Sequence, residues 1–191
     1  MTQFLAGIVL FFAVHLVRVV APGFRLRMME RLGPWGWKGI YGLVSLVGLV
    51  LMIRGYAQIK PASPWLYVPP VWTRHAVSLF MLPALVLLVA AYLPGRIRRA
   101  VRHPMLIAVI LWSVAHLAAN GQAADVALFG AFLAWSVVVT VSAFGRPAPA
   151  PPPSLPATRV NDLVAVVAGA GLWAWLAFGG HAVLFGMPVF G

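Results

Sequence analysis

The sequence contains no cysteine. No disulfide, thiolate nucleophile, cysteine-ligated zinc or iron–sulfur cluster can form, so any metal or haem must hang on histidine, methionine, tyrosine or carboxylate. Acidic residues are nearly as scarce, with three in 191. Glu30, Asp125 and Asp162 offer no carboxylate pair for acid–base work and no chain of carboxylates for a proton or sodium path. Neither a GxSxG element nor a glycine-rich phosphate loop after a strand is present. Charged residues of both signs make up only 9% of the chain, where a soluble domain carries about 25%. Too few polar side chains exist to coat a water-soluble globule.

What fills the chain instead is apolar: 62% of residues are hydrophobic, which also excludes disorder. The composition predicts an all-α, polytopic transmembrane helical bundle forming a single domain over residues 1–191. Six apolar stretches come near the ~20 residues that cross a bilayer, over 3–21, 37–56, 75–93, 104–120, 124–144 and 163–180. The net charge is +11, and 11 of the 14 cations fall on one side of this pattern. They follow span one (Arg18, Arg25, Arg27, Arg31, Lys38), follow span three (Arg96, Arg98, Arg99, Arg102) and flank span six (Arg146, Arg159). Arg54, Lys60 and Arg74 lie on the other side. The positive-inside rule then places the basic loops in the cytoplasm and both termini outside. That distribution makes membrane lipid the natural partner of the positive charge, with no role for nucleic acid. The first apolar run lacks a positive leader, and its cations follow it, as in a retained anchor.

Local signals fit this frame. Pro104 suits a first helical position, and Asn120-Gly121 closes the same helix, so spans four and five should form a tight hairpin. Asp125 and Asp162 each open a helix, which makes capping their expected role. Gly39, Gly42, Ser45 and Gly48 recur at every third residue and predict a close-packing seam in span two. Trp65, Tyr67 and Trp72 read as an outer aromatic belt, with Trp35 and Trp37 on the inner side. Residues 24–32 are either a short interfacial helix or a basic connecting loop. A proline-rich cytoplasmic linker over 145–160 precedes the last helix.

Ionisable residues inside the membrane are the functional candidates. His15 lies within span one, with Arg18 three residues on and on nearly the same face. His116 lies within span four, and helical spacing presents Trp112, His116 and Asn120 together. Neutral imidazole is the commonest metal ligand, and a haem iron takes one or two from facing helices. The same histidines could equally be hydrogen-bonded across helices. His103 precedes His116 by 13 residues, or about 220° of rotation and ~20 Å of rise, so the two cannot ligate one metal from a straight helix. His15 lies about 18 Å and His116 about 6 Å below the outer edge, which leaves His75 as a rival partner for His116.

Several multi-residue elements, taken in order, resemble the NnrU family of bacterial inner-membrane proteins. They are Val14-His15 with Arg18 and Ala21-Pro22-Gly23; Trp37-Lys38-Gly39 with Tyr41-Gly42-Leu43-Val44-Ser45; Pro70-Val71-Trp72-Thr73-Arg74-His75; Arg102-His103-Pro104-Met105; and Trp112 through Ala115-His116-Leu117 to Asn120-Gly121. The resemblance implies a multi-pass protein of the bacterial inner (plasma) membrane linked to denitrification, that is, to nitrite and nitric oxide metabolism. It also connects the chain to the 15-cis-zeta-carotene isomerases, which are similar across these motifs and hold haem b through histidines. Carried over motif by motif, it implies haem b on His15 and His116, with His103 also important and His75 as the alternative ligand. Arg18, Trp112 and Asn120 accompany them. A cysteine-dependent ligand switch is impossible here. Two other functions remain open. One is a non-enzymatic assembly or stability partner of a nitric-oxide or nitrite reductase. The other is a carotenoid-isomerase-like enzyme, or a membrane methyltransferase-like one, which Arg102-His103-Pro104-Met105 followed by Trp112 also resembles.

Overall fold

The computed structural model describes residues 1–146 and 156–190. Among them the secondary structure is helical, apart from an isolated bridge between Trp65 and Gln122. The helices are α1 (Thr2–Val20), α2 (Pro22–Ile59), α3 (Thr73–Ala90), α4 (Arg96–Val101), α5 (Pro104–Ala119), α6 (Ala123–Phe144), α7 (Arg159–Trp175) and α8 (His181–Phe185). A π-helical stretch, Leu176–Gly180, joins α7 to α8. Five helical stretches are long and apolar enough to cross a membrane, and α5 is a shorter apolar helix. The all-α architecture with about six spans is therefore the one observed. The linker expected over 145–160 lies mostly outside the described residues.

The described residues form two compact units, Met1–Leu66 with Gln122–Ala131, and Tyr67–Gly121 with the described residues from Phe132 onward. In the first unit, α1 and α2 are separated by one non-helical residue, Ala21 (φ −138°, ψ 57°), and Pro22 then starts α2 at a position where its missing N–H costs nothing. The two helices run antiparallel with their backbones nearly touching. A Cβ on Gly7 would overlap the Met52 backbone, one on Gly48 would stand 2.7 Å from the Phe11 nitrogen, and one on Gly55 would overlap the Phe4 backbone. Small residues permit such an approach where no hydrophobic effect drives helices together in lipid. The predicted seam is thus corrected. Gly48 belongs to it, but Gly39 and Gly42 have no atom within 4 Å of an added Cβ. The working seam has partners seven residues apart, Gly48 and Gly55, on the face turned to α1.

Helix α2 is interrupted at Gly33 (φ 71°, ψ 167°), directly before Pro34. The proline ring forbids the helical conformation to its predecessor, and only glycine takes this φ without strain. The break separates a basic segment, 22–32, from the apolar helix 34–59, so the first alternative for residues 24–32, a short helix, is the one found.

The far end of α2 is stitched to the start of α6. Asp125 is fully buried and forms an ion pair with Lys60, while the Tyr56 hydroxyl donates to it at 2.6 Å. The Ser63 hydroxyl accepts from the Ala124 amide at 2.9 Å, and the Gln122 side chain donates to the Ser63 carbonyl at 3.1 Å. Asp125 therefore neutralises a lysine instead of serving as the expected cap, because burial in an apolar setting demands a counter-charge more than a helix end demands an acceptor.

In the second unit α3 packs against α5 and α7. Gly169 of α7 lies on the Val86 backbone, and the Trp173 indole N–H donates to the Ser78 carbonyl at 2.7 Å. Pro104 opens α5 as expected. At the other end of α5 the Tyr67 hydroxyl donates to the Leu117 and Asn120 carbonyls, two of the acceptors that a helix end leaves over. Gly121 is required there, because a Cβ would collide with the Tyr67 carbonyl. Asp162 does cap a helix, but not its own. Its carboxylate accepts from the amides of Arg96 and Ile97, at 2.9 and 3.0 Å, at the start of α4. The neighbouring Asn161 side chain donates to the Pro94 carbonyl at 2.7 Å. Trp35, Trp65, Tyr67 and Trp72 are exposed, as a belt requires, whereas Trp37 is buried and leaves the belt for the interior of the first unit.

Candidate functional site

The break at Gly33 bends the basic segment 22–32 beside the end of α1 and leaves a cleft of about 300 Å³. That size is at the low end of the ~300–1,000 Å³ of ligand pockets. Helix α1 contributes Val14, His15, Val17 and Arg18. The basic segment contributes Arg25 and Met29, and the helix after the break contributes Pro34, Trp37, Lys38 and Tyr41. The wall is apolar and the rim carries three cations.

His15 is held on three sides. Its Nδ1–H donates to the Phe11 carbonyl at 2.6 Å, one turn earlier. Its ring stacks on Phe11 at 4.2 Å with an interplanar angle of 27°, and Tyr41 lies 5.2 Å away. A carbonyl can only accept, so this bond places the proton on Nδ1 and the lone pair on Nε2. That is the protonation state of a metal-ligating imidazole, and the bond also orients the ring. The three cations differ in setting. Arg18 and Lys38 are exposed on the protein surface and Arg25 is half-buried. The Lys38 ammonium also lies 4.6 Å above the Trp35 ring.

In the second unit the predicted face of α5 is present. His116 Nδ1–H donates to the Trp112 carbonyl at 2.8 Å, Asn120 donates to the His116 carbonyl at 2.9 Å, and the Trp112 and His116 rings are 5.2 Å apart. His15 and His116 thus share the same i−4 back-bond and the same lone-pair nitrogen. His103 is buried at the start of α5, edge-on to Phe144 at 5.5 Å. It follows Arg102, whose φ of 60° is costly for a residue with a side chain. His75 is exposed against Phe190, with ring centroids 5.6 Å apart. The structure therefore brings His15 together with Arg18, and Trp112 with His116 and Asn120. His75 and His103 stand in separate surroundings of their own. Among the described residues no cluster of three metal-ligating side chains occurs.

A family model described as NnrU protein matches residues 3–189. The chain belongs to the NnrU family. No match was found among curated proteins or among solved structures. With its long apolar helices, this NnrU-family chain is a multi-pass membrane protein.

Sequence reasoning about the NnrU chain found His15 and Arg18 but missed their companions. Arg25 and Lys38 were absorbed into the charge balance of the loops, and Trp37 into the aromatic belt. The signal that could have found them is Gly33-Pro34. A glycine followed by proline inside a long helical run marks a bend, and a bend brings the cations on either side toward whatever closes the preceding helix.

Proposed function

We propose that this NnrU-family protein binds haem b in the bacterial inner membrane and serves nitrite and nitric oxide metabolism, with His15 as an axial ligand. The observation that carries the reading is the His15 imidazole, held by the Phe11 carbonyl in its ligating protonation state at the wall of an apolar cleft. Bound haem supplies one-electron or Lewis-acid chemistry at its iron. The chain's own residues supply the rest. Phe11 fixes the tautomer and, with Tyr41, the plane of the imidazole, while Val14, Val17 and Trp37 exclude water. His116 carries the same back-bond to Trp112 and is the other ligand candidate, with His75 as its alternative. The nitrogen-oxide part of the reading is supported by the family resemblance alone.

The test is an optical spectrum of protein purified after haem-sufficient expression, oxidised and dithionite-reduced, with and without nitric oxide. A Soret band that shifts on reduction and again on nitric oxide binding is expected, and His15→Ala should weaken or displace it. His116→Ala tests the other candidate by the same spectrum. Absence of a Soret band would overturn the reading, and indifference to both substitutions would remove the ligand assignment. A second reading, an assembly partner of a nitrite or nitric oxide reductase, draws on the open Gly39 and Gly42 positions of α2, flanked by exposed Leu43 and Leu46. Co-purification of a reductase with cofactor-free protein would favour it.

A further inference from the structure

We infer that the His15 cleft selects its ligand by paired carboxylates, taking a dianionic free-acid amphiphile whose acid groups lie toward Arg18, Arg25 and Lys38. The inference takes the macrocycle from the haem reading, but the carboxylate recognition stands on the cleft itself.

The three cations come from three separate stretches, the end of α1, the segment 22–32 and the start of the helix after Gly33. No carboxylate lines the cleft with them. The chain has only three acidic side chains to offer. Asp125 is committed to Lys60 and Tyr56, and Asp162 to the amides of Arg96 and Ile97. Glu30 is exposed and stands outside the lining. Like charges gathered at the mouth of an apolar cleft repel one another and attract an anion, more strongly where low-dielectric walls focus the field. Arginine favours this task because its planar fork meets a carboxylate through two parallel hydrogen bonds. Three cations exceed the single charge of a phosphodiester headgroup and suit a ligand with two. Behind that rim lie Val14, Val17, Met29 and Trp37, which give an apolar wall suited to a flat hydrophobic body. One rim of charge and one wall of hydrocarbon fix the direction in which an amphiphilic dicarboxylate enters.

The experiment titrates the purified full-length protein, freed of cofactor and held in neutral detergent, with three probes: metal-free protoporphyrin, haem b and the dimethyl ester of haem b. Quenching of tryptophan fluorescence and porphyrin absorbance are read in parallel. Metal-free protoporphyrin is expected to bind, and the ester to bind at least about tenfold more weakly than haem b, because charge-assisted bonds are lost. Arg18→Gln, Arg25→Gln and Lys38→Gln should each weaken both free acids and leave the ester unchanged, with Lys38→Arg restoring the loss. Equal affinity for acid and ester overturns the inference without any substitution, so misfolding of a variant cannot hide the answer. Displacement of protoporphyrin by phosphatidylglycerol vesicles at comparable concentration also overturns it and assigns the rim to a lipid headgroup. The haem reading fails separately. If His15→Ala leaves the haem spectrum unaltered while acid and ester still differ, the iron ligand is wrong and the carboxylate recognition stands.

Discussion

Lys60, Asp125 and Tyr56 form a buried charged cluster whose energetics can be taken apart. Asp125 is 1% exposed and Lys60 26%. Removing one partner of a fully buried ion pair costs about 3–5 kcal/mol, because the remaining charge is left in a poor solvent. Lys60→Met leaves Asp125 with the Tyr56 hydroxyl alone, but water that reached Lys60 can reach part of the vacated space. We therefore expect a loss of about 2–3 kcal/mol. Asp125→Asn keeps an acceptor for Tyr56 and strands no anion, so about 1–1.5 kcal/mol is expected. Replacing both charges, Lys60→Met with Asp125→Leu, should return the protein to within about 1 kcal/mol of its starting stability. The assay is reversible unfolding in mixed micelles, read by tryptophan fluorescence, with the parent protein, Lys60→Met, Asp125→Leu and the double variant forming a double-mutant cycle. If Lys60→Met is harmless, or the losses of the two single variants simply add in the double variant, the pair carries no coupling and the account of Asp125 is wrong.

Two further outcomes test the packing and the backbone. Gly7→Val and Gly55→Val should each lower stability by at least about 1–3 kcal/mol, since the new methyls meet backbone, whereas Gly39→Ala and Gly42→Ala should leave the melting temperature unchanged. Arg102 carries a φ of 60° and lies 5.6 Å over the Phe144 ring. Arg102→Gly relieves the backbone while losing that contact and should be neutral or stabilising. Arg102→Ala keeps the strain, loses the contact, and should melt lower by a difference of about 1–2 kcal/mol.

Features set by neighbouring residues were legible in the sequence. Four of the six apolar runs match their helices to within a turn, whereas the second covers only the part of α2 after Gly33 and the sixth begins four residues inside α7; Pro104 opens α5, and Trp112, His116 and Asn120 share a face because helical spacing alone decides it. Features set by distant residues were not. Asp125 and Asp162 look alike in sequence, each an acid in the first turn of an apolar helix. One neutralises a lysine and the other holds the amides of a different helix, and no local rule separates these fates. Gly39 and Gly48 likewise belong to one periodic stripe, yet only Gly48 meets α1, because the bend at Gly33 and the length of α1 decide where the hairpin closes. The cleft was half visible. His15 and Arg18 are neighbours on one turn, but Arg25 and Lys38 arrive only through the bend.

The clasp at Asp162 has an implication for how the chain is assembled. The arginine turn Arg96–Val101 leaves the ribosome some 65 residues before the carboxylate that satisfies its leading amides. Until α7 is made, those amides must be served by water or by lipid phosphate. The turn is finished only on delivery of α7, so a chain cut short after α6 should keep its earlier spans yet expose this arginine-rich stretch to proteases.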